Sequence, residues 1–147
     1  MLGKREAAFW QRMKTGMGRI FASNGQINRI LMDRIETPNT RIGFPDVHIT
    51  DPEYGDCWIE LKVARGNRIN LSPLQADWHN ERSKAGSRCR IVAFVERPEH
   101  GNLICVWDGR KAHQIRDLGL RVKAIDVFGE PFNWHELRLA LFYDKVS

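Results

Sequence analysis

The central part of the chain alternates between apolar and polar residues with the two-residue period of a β-strand. In the segment 57–64, Ile59 and Leu61 fall on one face, and Glu60 and Lys62 fall on the other. The apolar face indicates a strand that packs on a core. The carboxylate and the ammonium group on the opposite face need a separate explanation.

A second alternating segment, 45–50, comes before this strand, and the turn-forming sequence 51–55 separates the two. The pattern predicts an antiparallel β-hairpin. If five residues form the turn, Asp46, Glu60 and Lys62 lie together on one face, whereas a slip of one residue would move Asp46 to the other face. The predicted opposed pairs are Thr50 with Asp56, His48 with Trp58, and Asp46 with Glu60.

Helical segments flank the predicted strands. Ser72-x-x-Gln75 forms a capping box, and Gly16 and Gly18 predict the end of a first helix. The helices are predicted over 4–14, 73–84, 111–118 and 133–143, and the strands over 30–36, 45–50, 57–64, 90–96, 103–107 and 121–128. This order predicts an α/β fold, with residues 1–147 forming a single domain around a central mixed β-sheet flanked by helices.

Composition and charge agree with one globular domain. The chain has 147 residues, 42% of them hydrophobic, and its 23 Lys and Arg against 18 Asp and Glu give a net charge of +5. This excess permits a polyanionic partner without requiring one. The three scattered cysteines lack a zinc-site spacing and predict reduced thiols in a cytoplasm. No apolar run approaches the roughly 20 residues of a membrane span, so we expect no membrane partner.

Asp46, Glu60 and Lys62 form a set that suits the hydrolysis of a phosphodiester bond. Two carboxylates at cross-strand distance repel each other unless a cation lies between them, and oxygen ligands suit Mg²⁺ or Mn²⁺. Such a metal ion polarises a phosphoryl oxygen and lowers the pKa of a bound water. A lysine beside it can orient that water or stabilise the transition state. The main-chain carbonyl of Leu61 is a further candidate ligand.

Pro45-Asp46 followed by Glu60-Leu61-Lys62 resembles the PD-(D/E)XK signature of the restriction-endonuclease-like nucleases. The resemblance covers about residues 4–107 in the order of elements and is specific for 43–78. Within that family, the chain is similar to the VRR-NUC and Holliday-junction resolvase branches and to small nucleases of phages. This similarity lies in three segments and one tryptophan, namely Gly43-Phe44-Pro45-Asp46-Val47, Trp58-Ile59-Glu60-Leu61-Lys62, Ser72-Pro73-x-Gln75 and Trp78.

The resemblance implies a restriction-endonuclease-like core and assigns roles to single residues. In the family, the motif Asp and Glu bind the metal and the Lys assists the attacking water, which makes Asp46 and Glu60 the metal ligands and Lys62 catalytic. Gln75 joins the catalytic set, although the capping box alone would also explain it. A Glu of the first helix often completes such a site; Glu6 is the matching residue. A rival for that place is Glu36.

We therefore predict a Mg²⁺- or Mn²⁺-dependent DNA endonuclease, with branched DNA as the expected substrate, as in Holliday-junction resolvases. One alternative is a VRR-NUC-type repair nuclease that acts on other DNA structures. The alternative of a different class is a nucleic-acid-binding protein that keeps the fold and no longer cuts. The similarity to small phage nucleases is also compatible with a phage-encoded protein that acts in the host cytoplasm.

Two arginines near the predicted site indicate where DNA would lie. Arg65 and Arg68 belong to the loop directly after the catalytic strand and are predicted to contact the DNA backbone; a solvated loop is the alternative. His48 and His79 are interpreted as structural neighbours, because the sequence shows no partner that would activate them.

A homodimer is predicted because two strands of a junction need two cuts, and a C₂ pair presents two identical sites. The last helix offers a candidate surface, since its apolar residues spread beyond one stripe. These residues are Trp134, Leu137, Leu139, Ala140, Leu141, Phe142 and Tyr143. Alternatively, residues 111–128 cover the second face of this helix within the monomer.

Overall fold

A mixed β-sheet with helices on both faces forms the centre of the protein. The computed structural model describes residues 3–18, 30–35 and 43–143. Within these ranges the helices are α1 (Lys4–Met17), α2 (Pro73–Lys84), α3 (Ala112–Leu118) and α4 (Trp134–Phe142). The strands are β1 (Leu31–Arg34), β2 (Val47–Asp51), β3 (Gly55–Ala64), β4 (Cys89–Val95), β5 (Leu103–Asp108) and β6 (Asp126–Gly129).

The described strands lie in the sheet in the order β1-β2-β3-β4-β5-β6. Neighbouring strands are antiparallel, except for β3 and β4, which are parallel. A parallel pair needs a crossover connection, and α2 provides it. The predicted α/β fold with a central mixed sheet flanked by helices is therefore confirmed.

Two apolar clusters lie on opposite faces of the sheet, because successive side chains of a strand point to opposite sides. On one face, α1 and α4 pack against residues such as Ile59 and Leu61 of β3. On the other face, α2 and α3 pack mainly against Ile91 and Ala93 of β4 and Trp107 of β5. Glu60 and Lys62 point to this second face, beneath α2.

The predicted register of the β2–β3 hairpin is confirmed. His48 pairs with Trp58, and Thr50 pairs with Asp56. The strands extend further than expected, so that Asp51 and Gly55 form the last pair and only three residues separate them. Asp46 lies one residue before β2.

The first helix is longer than predicted. It continues through Gly16 to Met17, because Met13 and Met17 are buried in the core one helical turn apart. Gly16 does not end the helix. It lies so close to the indole of Trp134 that a Cβ at this position would overlap the ring.

The strand predicted over 121–128 is wrong in its first half. Residues Gly119–Arg121 form a 3₁₀ turn, and β6 begins only at Asp126. The reason is the burial of Val122, whose carbonyl accepts a hydrogen bond of 2.8 Å from the indole N–H of Trp107. This contact draws the chain out of the sheet before β6.

The apolar face of α4 is covered within the chain. Leu137, Ala140, Leu141 and Phe142 are buried in the cluster that α4 shares with α1 and the sheet. These four residues form the face that packs within the chain, whereas Trp134 and Leu139 are half-buried and Tyr143 is exposed, so a partner surface on the other face stays a prediction. In the described ranges, no helix is both long enough and apolar enough to cross a membrane.

Candidate active site

The candidate site lies where β3 passes beneath α2, at the start of β2. The alternation of β3 points Glu60 and Lys62 toward α2, and the hairpin register brings Asp46 beside Leu61. The exposed fraction is 6% for Asp46 and zero for Glu60, so both carboxyl groups are almost completely removed from water.

Asp46 is fixed by main-chain groups of its neighbours. The N–H of Leu61 donates to Asp46 Oδ2 at 3.1 Å, and the N–H of Ile35 donates to the Asp46 carbonyl at 2.7 Å. In a strand, the N–H and C=O of one residue point to the same side. The Leu61 carbonyl therefore faces the side on which Asp46 lies.

Both carboxylate oxygens of Glu60 contact side chains from one face of α2. Gln75 Nε2 donates to Glu60 Oε2 at 3.2 Å, and His79 Nε2 lies 3.1 Å from Glu60 Oε1. Gln75 and His79 are four residues apart, so their side chains lie on the same helical face. Glu60 is therefore oriented from two directions by a single helix.

Gln75 connects the start of α2 to Lys62. Its main-chain N–H donates to the Ser72 hydroxyl at 3.1 Å, and its Oε1 accepts from the Ser72 N–H at 3.0 Å, which completes the predicted capping box. The same Oε1 accepts a hydrogen bond of 3.1 Å from Lys62 Nζ. The capping interpretation and the site interpretation of Gln75 thus describe one arrangement, because a single side chain makes both sets of contacts.

Burial raises the pKa values of both carboxyl groups. Burial, followed by the hydrogen bond and the negative charge of Glu60, raises the pKa of Asp46 from 3.8 to about 8. Burial also raises the pKa of Glu60. Burial lowers the pKa of His79 to about 4, so its ring is neutral at pH 7, and we assign its proton to Nε2, which faces Glu60. Without a bound divalent cation, the carboxyl pair therefore favours a shared proton.

The oxygen atoms at this place fit a hard divalent cation. Asp46 and Glu60 supply carboxylates, and the Leu61 carbonyl lies on the same side of β3 as Asp46. In the described ranges, no group of three or more His, Cys, Asp or Glu residues could hold a metal ion. Mg²⁺ does not need such a group, since it is usually bound by one or two carboxylates and keeps several waters.

Three aromatic rings form a wall beside the site. Phe44 lies 5.6 Å from Trp58 and 5.4 Å from Trp78 between ring centroids, and the two tryptophans lie 5.9 Å apart. Trp78 also contacts the ring of His79, at 5.1 Å. Through Trp78 the wall contacts His79, the residue that lies against Glu60.

The structure does not bring Glu6 together with the two carboxylates. Glu6 lies in the first turn of α1, a helix that packs on the opposite face of the sheet, and its carboxylate folds back over Gly3. No hydrogen bond or ion pair joins it to Asp46 or Glu60 in the part of the chain that the structure describes. The rival residue Glu36 lies outside the described residues.

The two predicted DNA-binding arginines differ in their surroundings. Arg65 Nε is 2.9 Å from Glu96 Oε2, in an exposed ion pair. Arg68 is exposed and lines a groove beside the start of α2. Their contacts with DNA stay predictions.

His79 is the site residue that the sequence interpretation missed. The spacing Gln75-x-x-x-His79 could have indicated it, because residues four apart share a helical face. The histidine was set aside because its partner, Glu60, lies 19 residues away in the chain and becomes visible only when α2 is packed on β3.

The chain is similar to one of the solved structures but matches no protein family. No protein-family model matches the chain, and no curated protein sequence matches it either. Among solved structures, the chain is similar to Hjc of Archaeoglobus fulgidus, a Holliday junction resolvase from an archaeal hyperthermophile. The two are 12% identical with a TM-score of 0.43, and the alignment covers 69% of this chain and 74% of that one.

Proposed function

We propose that the protein is a divalent-metal-dependent endonuclease that hydrolyses phosphodiester bonds in DNA, with branched DNA as its substrate. The proposal rests on one observation: Gln75 is hydrogen-bonded to both Glu60 and Lys62, and the N–H of Leu61 holds Asp46 beside them. A carboxylate pair next to a positioned ammonium group suits phosphodiester hydrolysis better than a passive surface role, because both carboxylates are buried.

Asp46, Glu60 and the Leu61 carbonyl would hold the cation, which when bound polarises the phosphoryl group and lowers the pKa of a water. Lys62 is held by Gln75 through one of its three N–H groups, which leaves two to orient the water and to stabilise charge on the phosphoryl oxygens. Gln75 and His79 keep Glu60 oriented toward Asp46.

Two carboxylate variants test the proposal. Asp46→Asn and Glu60→Gln are each expected to reduce cleavage of a labelled four-way junction in Mg²⁺ by more than about 100-fold, beyond the effect of losing a mere supporting contact. Binding to the junction in EDTA should persist, because neither carboxyl group is proposed as a contact to the DNA. Asp77→Asn and Glu81→Gln, two exposed carboxylates on α2, serve as matched controls and should cut as the wild type does. Near wild-type cleavage by either site variant would contradict the assignment.

Replacement of Lys62 is expected to change the rate of cleavage without changing the requirement for metal. Lys62→Ala should lower kcat by about 10²- to 10³-fold, the usual effect of losing a group that stabilises transition-state charge. The Mg²⁺ concentration that gives half-maximal rate should stay the same, because the lysine is not proposed as a ligand. A large change in that concentration would argue against the role.

The substrate is decided by a panel of DNA structures. Four-way junctions, flaps, duplex and single strands are incubated with the protein and Mg²⁺, and EDTA serves as the negative control. Preferred cutting of the junction supports the resolvase-like reading, and preferred cutting of flaps or other intermediates supports the VRR-NUC-type alternative.

A non-cleaving nucleic-acid-binding protein is the second candidate, favoured by the net charge of +5, which suits a polyanionic partner whether or not the protein cuts it. It predicts that the wild type binds DNA in EDTA but cuts no member of the panel with Mg²⁺ or Mn²⁺. Metal-dependent cleavage that is lost in Asp46→Asn excludes it.

A further inference from the structure

A polar groove adjoins the candidate site at the start of α2. It has a volume of about 710 Å³ and lies between the loop 67–73, which follows β3, and the end of α3 with the 3₁₀ turn after it. We call it the arginine groove, because Arg68 from the loop and Arg116 and Arg121 from the opposite wall line it.

The charge of the groove is positive. Its three arginines are exposed, and Asp117 is the single carboxylate among its lining residues. The contact from Arg116 to Asp117 is 3.9 Å long between two exposed groups, and such pairs contribute little. In the part of the chain that the structure describes, Arg68 and Arg121 make no hydrogen bond or ion pair. All three guanidinium groups are therefore available to an anionic ligand.

The shape of the groove is fixed by main-chain contacts. The N–H of Leu120 donates to the carbonyl of Asn67 at 2.8 Å, which holds the loop against the 3₁₀ turn. Gly119 makes this approach feasible: its φ is +59°, and a Cβ there would overlap the Asn67 carbonyl. The two walls are thus joined before any ligand arrives, which lowers the entropy that binding must overcome.

Ser72 connects the arginine groove to the candidate site. Ser72 lines the groove, and its N–H donates to Gln75 Oε1, the atom that also accepts from Lys62 Nζ. The groove therefore begins two hydrogen bonds from Lys62, at the place where a DNA strand with a phosphate at Lys62 would extend beyond the site.

We propose that the arginine groove binds the sugar–phosphate backbone of the DNA next to the cleaved bond, with Arg116 and Arg121 as phosphate contacts. This inference rests on the proposed function, since it takes the polyanion at Lys62 to be DNA. Arginine suits this task because its planar group donates two parallel hydrogen bonds to a phosphate. The exposed Asn67 and Asn70 add neutral donors along the same wall.

The test measures the binding of a labelled duplex and a four-way junction in EDTA, by fluorescence anisotropy over a series of KCl concentrations. The double variant R116Q/R121Q is compared with K14Q/K84Q, which removes the same charge from exposed positions away from the groove. The groove variant should lower the log–log salt slope by about 0.9 for each lost phosphate contact on duplex DNA. In Mg²⁺ it should raise KM and leave kcat at saturating DNA unchanged, because it removes binding without touching the reacting groups.

The outcomes distinguish a failure of the groove proposal from a failure of the proposed function. If R116Q/R121Q keeps the wild-type slope, or changes no more than K14Q/K84Q, the groove proposal is overturned, even where Asp46→Asn abolishes cleavage. If the wild type neither binds nor cuts DNA, both proposals fail. A reduced slope in R116Q/R121Q alone supports the groove, whichever DNA structure is cut.

Discussion

Glu60 illustrates, at the scale of single residues, how a fully buried carboxylate is kept in place. An isolated charge in such surroundings is strongly unfavourable, so each oxygen needs a partner. Gln75 and His79 provide the partners from successive turns of α2. Replacing either should disturb Glu60 and, through Gln75, Lys62.

The two roles of Gln75 can be separated by mutation. Gln75→Ala removes the contacts to Glu60 and Lys62, and is expected to lower kcat by about 10- to 100-fold, as for other residues that support a ligand. Ser72→Ala removes only the capping hydroxyl, and should reduce the free energy of unfolding by about 1 kcal/mol with kcat unchanged. Urea unfolding and single-turnover cleavage of both variants provide the comparison. Equal losses of kcat would show that only the cap matters.

The raised pKa of Asp46 makes the stability of the metal-free protein depend on pH. The folded state binds this proton more tightly than the unfolded state, since the pKa rises from 3.8 to about 8. The resulting stabilisation is complete below about pH 4 and is lost as the pH rises through about 8. In EDTA, we expect the thermal midpoint of the wild type to fall over this interval, and that of Asp46→Asn to fall much less. Parallel curves for the two proteins would contradict the shift.

The site residues differ in how far the sequence could place them. Asp46, Glu60 and Lys62 follow from the period of β3 and the length of one turn, both of which are local properties. Gln75 is visible through its cap. His79 and the arginines of α3 depend on the packing of helices against the sheet, and local pattern does not encode that packing.

At the scale of elements, a buried ion pair joins the hairpin turn to α4. Arg138 donates from Nε to Asp51 Oδ2 at 2.6 Å and from Nη2 to Asp51 Oδ1 at 2.8 Å, and both side chains are buried. Burial alone would raise the pKa of Asp51, but the hydrogen bonds from Arg138 and the main chain outweigh it and lower that pKa. Nothing in the sequence pattern indicates this pair, because its members lie 87 residues apart.

Removing one partner of the Arg138–Asp51 ion pair should leave the other as an uncompensated buried charge. Arg138→Met is expected to lower the free energy of unfolding by about 3–5 kcal/mol. Adding Asp51→Asn should recover much of the loss, because the amide keeps an oxygen for the turn N–H groups of Glu53 and Tyr54 without the charge. Urea denaturation measures both. As a control, Arg65→Met breaks an exposed pair and should cost at most about 1 kcal/mol; a similar value for Arg138→Met would show that the buried pair is not needed.

Elements with a regular alternation of apolar and polar residues or a capping motif could be predicted from the sequence. Element ends that depend on a contact with a distant part of the chain could not. The hairpin register and α2 followed from alternation and a capping box. The end of α1 was misplaced because Gly16 serves a close approach to Trp134. The start of β6 was misplaced because Val122 is drawn beneath Trp107.

At the scale of the whole molecule, a homodimer stays our prediction for the unit that cuts two strands, although the buried residues of α4 do not supply its surface. Sedimentation equilibrium at micromolar protein should give about twice the monomer mass of 17.1 kDa. A monomer that still cuts both strands of one junction in a single encounter would rule the dimer out.

The order of the strands in the sheet has a consequence for synthesis on the ribosome. Because β1 to β6 lie side by side in the order in which they are made, each described strand can join a neighbour that has already emerged. The site residues between Asp46 and His79 can therefore assemble early, whereas the apolar side of α1, which packs on the sheet and on α4, is completely covered only when α4 joins it. We expect the nascent chain to expose part of that side until α4 has emerged, so chaperones that bind apolar segments would assist its folding.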